Sequence, residues 1–169
     1  MNIVLTGFMA TGKTKISRRL AELTGYELID TDAAVEAEAG MSINDIFAKY
    51  GEEHFRELET AAVKKAAQAD RTVISTGGGT VLRGENIEEL RKNGVIVNLA
   101  PDFEVIKARM EKAADTRPLM SGQSVESIKK RFDERQPFYD NCDIKIKVTN
   151  EKTPLEHARE ILRALDNRY

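Results

Sequence analysis

Residues 2–14, an Asn-Ile-Val-Leu-Thr run leading into Gly-Phe-Met-Ala-Thr-Gly-Lys-Thr, constrain this chain more than any other stretch. An apolar run, then G-x-x-x-x-G-K-[ST], then a helical pattern is how a buried strand feeding a phosphate-binding loop looks in sequence. Gly7 and Gly12 allow the tight turn and let backbone N–H groups face phosphate oxygens. A helix is expected from about Gly12 to Thr24, with Ile16, Leu20 and Leu23 recurring at i, i+4, i+7, so that its positive end faces the same anion. Ala10, Thr11, Gly12, Lys13, Thr14 and Lys15 are the candidate phosphate contacts. Lys13 adds a point charge at the β- and γ-phosphates, and the Thr14 hydroxyl can serve Mg²⁺. A glycine turn that merely precedes a lysine would need strand, spacing and helix all to coincide.

The rest of the chain repeats the alternation that this opening starts. Strand-length apolar runs occur at Ile3 to Thr6, Glu27 to Asp30, Thr72 to Ser75, Val95 to Leu99 and Ile144 to Val148, with helical stretches between them. That pattern predicts a three-layer α/β/α domain around a five-stranded parallel sheet. The first, third and fourth runs are almost continuously apolar, as central strands buried on both faces are, whereas Ile144-Lys145-Ile146-Lys147-Val148 alternates like an edge. With 169 residues, one core is expected and one domain over 1–169. The segment from Ala33 to Ala69 reads as consecutive helices punctuated by Gly40 and Gly51, with Ser42 capping the middle one, and 33–62 reads as a substrate-holding insertion. Residues 112–124, with Arg117, Pro118 and Gly122, have the composition of a lid. Later helices are expected over roughly 84–93, 102–112, 125–135 and 154–167.

A net charge of −2 leaves no overall basic surface for a nucleic-acid backbone. The lone Cys142 has no partner for an internal disulfide and reads as a buried reduced thiol; with only His54 and His157, a zinc site is not expected. No run approaches the length of a membrane span and no leader pattern opens the chain, so a soluble, cytoplasmic protein is the expectation.

Beyond the loop, four features carry chemistry. Asp30-Thr31-Asp32 ends the second strand, where ligands of open α/β sheets gather; one carboxylate can serve Mg²⁺ through water and the other can accept a proton from an attacking alcohol. A helix cap plus a turn aspartate is the plain alternative. On the insertion's last helix, Glu59 lies about 40° from Phe55, inside the apolar stripe, and Arg56 about 100° from it, at the border, so the pair is expected to meet. Arg135 lies within about 60° of Ile128 and Phe132, which define its helix's buried face, so it points inward, where an arginine must meet an anion. Thr76-Gly77-Gly78-Gly79 follows the third strand, and glycines there admit a ligand close to the backbone or simply make a tight turn.

Together these pieces resemble the shikimate kinase family along essentially the full length: Gly7 to Thr14, Asp30-Thr31-Asp32, Phe55-Arg56-Glu57-Leu58-Glu59, Ser75 to Gly79, Thr116-Arg117-Pro118-Leu119 and Glu134-Arg135-Gln136-Pro137-Phe138-Tyr139. The resemblance implies a nucleoside-monophosphate-kinase-like P-loop kinase fold and an ATP:shikimate 3-phosphotransferase of chorismate and aromatic amino acid biosynthesis, with Mg²⁺. It implies that Asp32 binds the attacking 3-hydroxyl and that Asp30 supports Mg²⁺ through water. It further implies that Arg56 and Arg135 grip the substrate carboxylate, helped by a backbone N–H at Gly78 or Gly79, with Glu59 and Gly77 also among the substrate-binding residues. Lys13 and Arg117 act on the transferring phosphate, Arg117 from the lid. Ala10 stands where glycine is frequent and Met120 where leucine is; Lys152 stands where an arginine often meets adenine, and Arg109 is a second candidate for that face. Shikimate and ATP are then the only partners expected, to a monomer. Gluconate-type kinases share the loop and the lid arginine but not F-R-x-x-E with G-G-G. A GTPase switch lacks its N-K-x-D segment here, and a catalytically dead ATP-binding module does not need Lys13, Thr14, Asp32 and Arg117 together.

Overall fold

The computed structural model describes residues 1–114 and 124–168. Of the expected lid, residues 115–123, Arg117 among them, lie outside the described residues.

The chain runs β1 (Asn2–Thr6), α1 (Lys13–Thr24), β2 (Glu27–Asp30), α2 (Thr31–Ala39), α3 (Ile43–Tyr50), α4 (Glu52–Ala67) and β3 (Thr72–Ser75). A short 3₁₀ turn at Thr80–Leu82 leads to α5 (Gly84–Arg91), β4 (Gly94–Pro101), α6 (Phe103–Ala114), α7 (Val125–Tyr139), β5 (Ile144–Val148) and α8 (Pro154–Arg168). The strands form one sheet in the order β2-β3-β1-β4-β5, every neighbouring pair parallel. The almost wholly apolar runs are the three inner strands and the alternating β5 is an edge, because only an inner strand must bury both faces. Val4, Ile74 and Ile96 face one way, under α4 to α7, in one hydrophobic cluster. Ile3, Leu5, Val73, Val95 and Val97 face the other way, under α1 and α8. A satellite cluster of Val35, Ile46 and Phe55 joins α2, α3 and the first turns of α4. Helix α4 therefore belongs to two bodies: Val63 and Ala66 pack on the sheet, while Phe55 anchors the insertion.

Local chemistry sets the ends that matter. Gly12 caps α1 in the left-handed region (φ +91°), and Ser42 caps α3 by accepting from the Asp45 N–H. Asp30 does the same for α2, accepting from the Ala33 N–H at 3.1 Å. That cap starts α2 at Thr31, two residues before the sequence reading begins it, and places Asp32 in a helix's first turn. Two further expectations change. Leu23 is 41% exposed and the inward position goes to Ser17, whose small hydroxyl bonds the Thr14 carbonyl beneath the sheet. Helix α7 continues through Pro137 to Tyr139 rather than stopping near Arg135, because buried Tyr139 anchors the last turn. Cys142 is half-buried, not buried, and burial raises its thiol pKa.

Candidate active site

The phosphate loop, the α2 N-terminus and the glycine run all leave the carboxyl ends of their strands on the same side of the sheet, and a groove of about 1270 Å³ opens there. It is lined by residues 9–16, Asp30, Asp32, Arg56, Glu59, Gly77 to Gly79, Arg109 and Arg135, so the expected phosphate and substrate residues come together. Lys152 does not line it; its ammonium pairs with Glu160 at 2.7 Å, and Asn150, Pro154 and His157 occupy that end of the groove instead.

The loop is held in its cradle shape by its own side chains. Thr11 Oγ1 donates to the Phe8 carbonyl at 2.9 Å, and the Lys13 ammonium folds back to donate to the carbonyls of Gly7 and Phe8. Ala10 has φ +62°, in the left-handed region, which explains why glycine suits this position: a β-carbon there costs roughly 1–2 kcal/mol. The same turn presents the Ala10 carbonyl to Arg109, whose Nη1 donates to it at 2.9 Å while its Nε donates to Asn150 at 2.8 Å.

At the other end, the glycine run packs without side chains because three charged groups fill that space. A β-carbon on Gly77 would lie 2.6 Å from Asp32 Oδ1, and one on Gly79 would lie 2.5 Å from both terminal nitrogens of Arg56. At Gly78 it would come within 3.4 Å of Arg135 Nη1. The F-R-x-x-E spacing makes the contact its angles required: Arg56 donates to Glu59 Oε1 at 2.8 Å, and the other Glu59 oxygen accepts from the Thr80 hydroxyl at 3.0 Å. Glu59 is 1% exposed, so both bonds are needed to offset its desolvation. Arg135 stands over the Phe8 ring at 5.9 Å. Thus Arg56 and Arg135 flank the glycine run from α4 and α7, and among the described residues Arg56 pairs with Glu52 and Glu59 while no ion pair is formed by Arg135.

Electrostatics distinguish two of the catalytic candidates, Asp32 and Lys13. Burial, with Asp30 and Glu59 nearby, raises Asp32 to about 6, although Lys13 pulls the other way. Burial lowers Lys13 to about 8, against the attraction of Asp32 and Asp30 and with the repulsion of Arg135. A carboxylate raised toward neutrality and an ammonium lowered toward it, in one groove, suit a proton acceptor beside a phosphate-holding cation.

Two contacts escaped the sequence reading. Thr80, the first residue after the glycine run, holds Glu59. Tyr139 donates its hydroxyl to the Gly78 carbonyl at 2.6 Å. Tyr139 sits one helical turn beyond Arg135, on the same face, and that spacing was the available signal.

The family model for shikimate kinase matches residues 9–166. The shikimate kinase of Caldanaerobacter subterraneus subsp. tengcongensis is 49% identical over 164 residues, covering 96% of this chain and 95% of that one. A structure of shikimate kinase from Acinetobacter baumannii in complex with shikimate superposes with a TM-score of 0.88 at 32% identity, covering 99% of this chain and 93% of that one. A gluconokinase from Sinorhizobium meliloti superposes with a TM-score of 0.66 at 18% identity, covering 98% of this chain and 91% of that one, a likeness of fold alone.

Proposed function

The chain belongs to the shikimate kinase family, and from that membership we propose that its groove transfers the γ-phosphoryl group of ATP to the 3-hydroxyl of shikimate. The products are shikimate 3-phosphate and ADP. One observation carries the assignment of roles within this chain: Asp32, Arg56 and Arg135 converge on a side-chain-free glycine run next to the phosphate loop.

In this reading the carboxylate of shikimate lies between Arg56 and Arg135 with a glycine N–H, because paired guanidiniums hold and orient a planar anion. That places the ring at the glycine run and a hydroxyl toward Asp32. The hydroxyl oxygen attacks the γ-phosphorus, the bond to the β–γ bridging oxygen breaks, and ADP leaves with that electron pair. Asp32 receives the hydroxyl proton, a task suited to a group at about 6. Lys13 faces the β- and γ-phosphates, giving up the carbonyls of Gly7 and Phe8 to do so. Arg117 approaches the γ-phosphate from the lid, and Arg109 lies at the nucleobase end. The substrate-holding insertion is 33–62.

The donor set fits Mg²⁺. Thr14 is an exposed hydroxyl at the start of α1, and Asp30 keeps one carboxylate oxygen for its cap, leaving the other for a bound water. No group of three His, Cys, Asp or Glu forms a protein cage among the described residues. A hard cation held by one hydroxyl, water and phosphate oxygens matches that set, and it supplies charge neutralisation on the phosphates. Every assigned residue comes from one copy, so a monomer suffices. No helix among the described residues is long and apolar enough to cross a membrane, which agrees with a cytoplasmic enzyme acting on small anions.

The test is an ATP-consumption assay with shikimate, gluconate and nucleoside monophosphates in parallel. Turnover confined to shikimate is expected; comparable turnover of gluconate would overturn the substrate assignment. Calorimetry on Arg56→Ala is expected to show weakened shikimate binding and near-normal nucleotide binding, and equal losses for both ligands would remove Arg56 from the carboxylate site.

A further inference from the structure

Tyr139 has no part in the reaction assigned above, yet its side chain is buried at 3% exposure and its hydroxyl ends on the glycine run. It closes α7 just after Pro137, which has no N–H and so leaves the helix ladder one bond short. A bond from the last residue of such a helix to a loop on another strand fixes two things at once: the end of α7, which carries Arg135, and the orientation of the Gly78 carbonyl.

The carbonyl matters because of the group attached to it. The C=O of Gly78 and the N–H of Gly79 belong to one planar trans peptide unit, so they point in opposite directions. Fixing the oxygen on Tyr139 therefore fixes the Gly79 N–H in the opposite direction, in a glycine run where Arg56 packs so close to Gly79 that a β-carbon there would lie 2.5 Å from its terminal nitrogens. Neither the Gly78 nor the Gly79 N–H donates to an acceptor among the described residues, although Gly79 is buried. A buried donor without a protein acceptor is open to one from a ligand or from water. A glycine peptide has little steric preference of its own between flipped orientations, so an external bond is what selects one.

We propose that Tyr139 is a positioning residue for the substrate carboxylate: its hydroxyl locks the Gly78–Gly79 peptide so that the Gly79 N–H joins Arg56 and Arg135 in holding that carboxylate. This rests on the reading that the carboxylate binds between the two arginines.

The experiment compares wild type and Tyr139→Phe with shikimate and with shikimate methyl ester, in which the anionic carboxylate is gone. Tyr139→Phe keeps the ring and removes the bond. KM for shikimate is expected to rise about three- to tenfold, the equivalent of one lost hydrogen bond, with kcat and KM for ATP within twofold of wild type. With the ester the penalty is expected to shrink below twofold. A purely structural tyrosine would lower the melting temperature without this split between substrates. An unchanged KM for shikimate, or equal losses with shikimate, ester and ATP, overturns the proposal. If wild type itself binds shikimate and ester equally, the carboxylate reading fails first. If wild type discriminates but the variant's penalty is the same for both, Tyr139 alone is misassigned. Should Tyr139→Phe fail to fold, the wild-type amide proton of Gly79 decides: it is expected to move downfield when shikimate binds and to stay in place with the ester, and an unmoved resonance overturns the proposal.

Discussion

Replacing Asp32 by Asn should make the unliganded protein inactive and more stable, with a gain that depends on pH in a defined direction. The carboxylate sits in a half-buried position with Asp30 and Glu59 close by, which raises its pKa from 3.8 to about 6. Folding therefore favours its protonated form. The sign follows: a folded-state pKa above the unfolded one gives a contribution fully present below pH 3.8 and lost as pH rises through 6. A rise of about two units, at about 1.4 kcal/mol per unit, means that keeping Asp32 ionised at pH 7 costs the fold about 3 kcal/mol. At pH 4.5 the same linkage leaves about 1 kcal/mol, because the folded-state carboxyl is then almost wholly protonated. Asparagine keeps the shape without the charge, so urea unfolding of variant and wild type should differ by about 2 kcal/mol more at pH 7 than at pH 4.5. By heat, the pH 7 gain corresponds to roughly 6–12 °C for a chain of this size. The comparison must be made without nucleotide, since Mg²⁺ and phosphate charges change the field at this carboxylate. A stability difference independent of pH, or a variant less stable at pH 7, would refute the claim that the groove holds Asp32 under electrostatic strain.

The same two pKa shifts give a kinetic expectation: kcat/KM for ATP, measured at subsaturating shikimate, should rise with pH through about 6 as Asp32 ionises and fall through about 8 as Lys13 loses its proton. A profile flat between pH 5 and 9 would remove both groups from the rate-determining ionisations. Gly79→Ala places a methyl group 2.5 Å from the Arg56 guanidinium, which must move; shikimate KM should rise at least tenfold while nucleotide affinity, read by calorimetry, stays within twofold. Arg117→Ala should lower kcat by a factor on the order of 10² or more, as for arginines that stabilise a transferring phosphoryl group, and a kcat within a few-fold of wild type would exclude that role.

Much of the architecture could be read from order and pattern alone. Three almost continuously apolar runs marked the inner strands, and one alternating run marked an edge, because burial on two faces or one leaves a period in the sequence. The glycines and lysine of the phosphate loop have local jobs within a few residues of each other, so spacing was enough to place them. The i, i+3 relation of Arg56 and Glu59 was legible for the same reason: a helix turns local spacing into contact.

Long-range partners leave no such trace. The Thr80 hydroxyl meets Glu59 across 21 positions and Tyr139 meets Gly78 across 61, and no periodicity within either segment encodes the pairing. The family resemblance puts Lys152 with the nucleotide; in the fold its ammonium pairs with Glu160, a partner the resemblance does not mention. Leu23 has the spacing of a buried residue, yet α1 turns Ser17 inward instead, a choice made by packing on the sheet and not by α1 alone. The sequence by itself determined a phosphate loop, a parallel sheet and a set of charged residues too costly to bury without partners. Tertiary structure decided which of them share a groove, because burial and mutual repulsion, and with them the pKa values of Asp32 and Lys13, exist only once separate strands have brought these groups together.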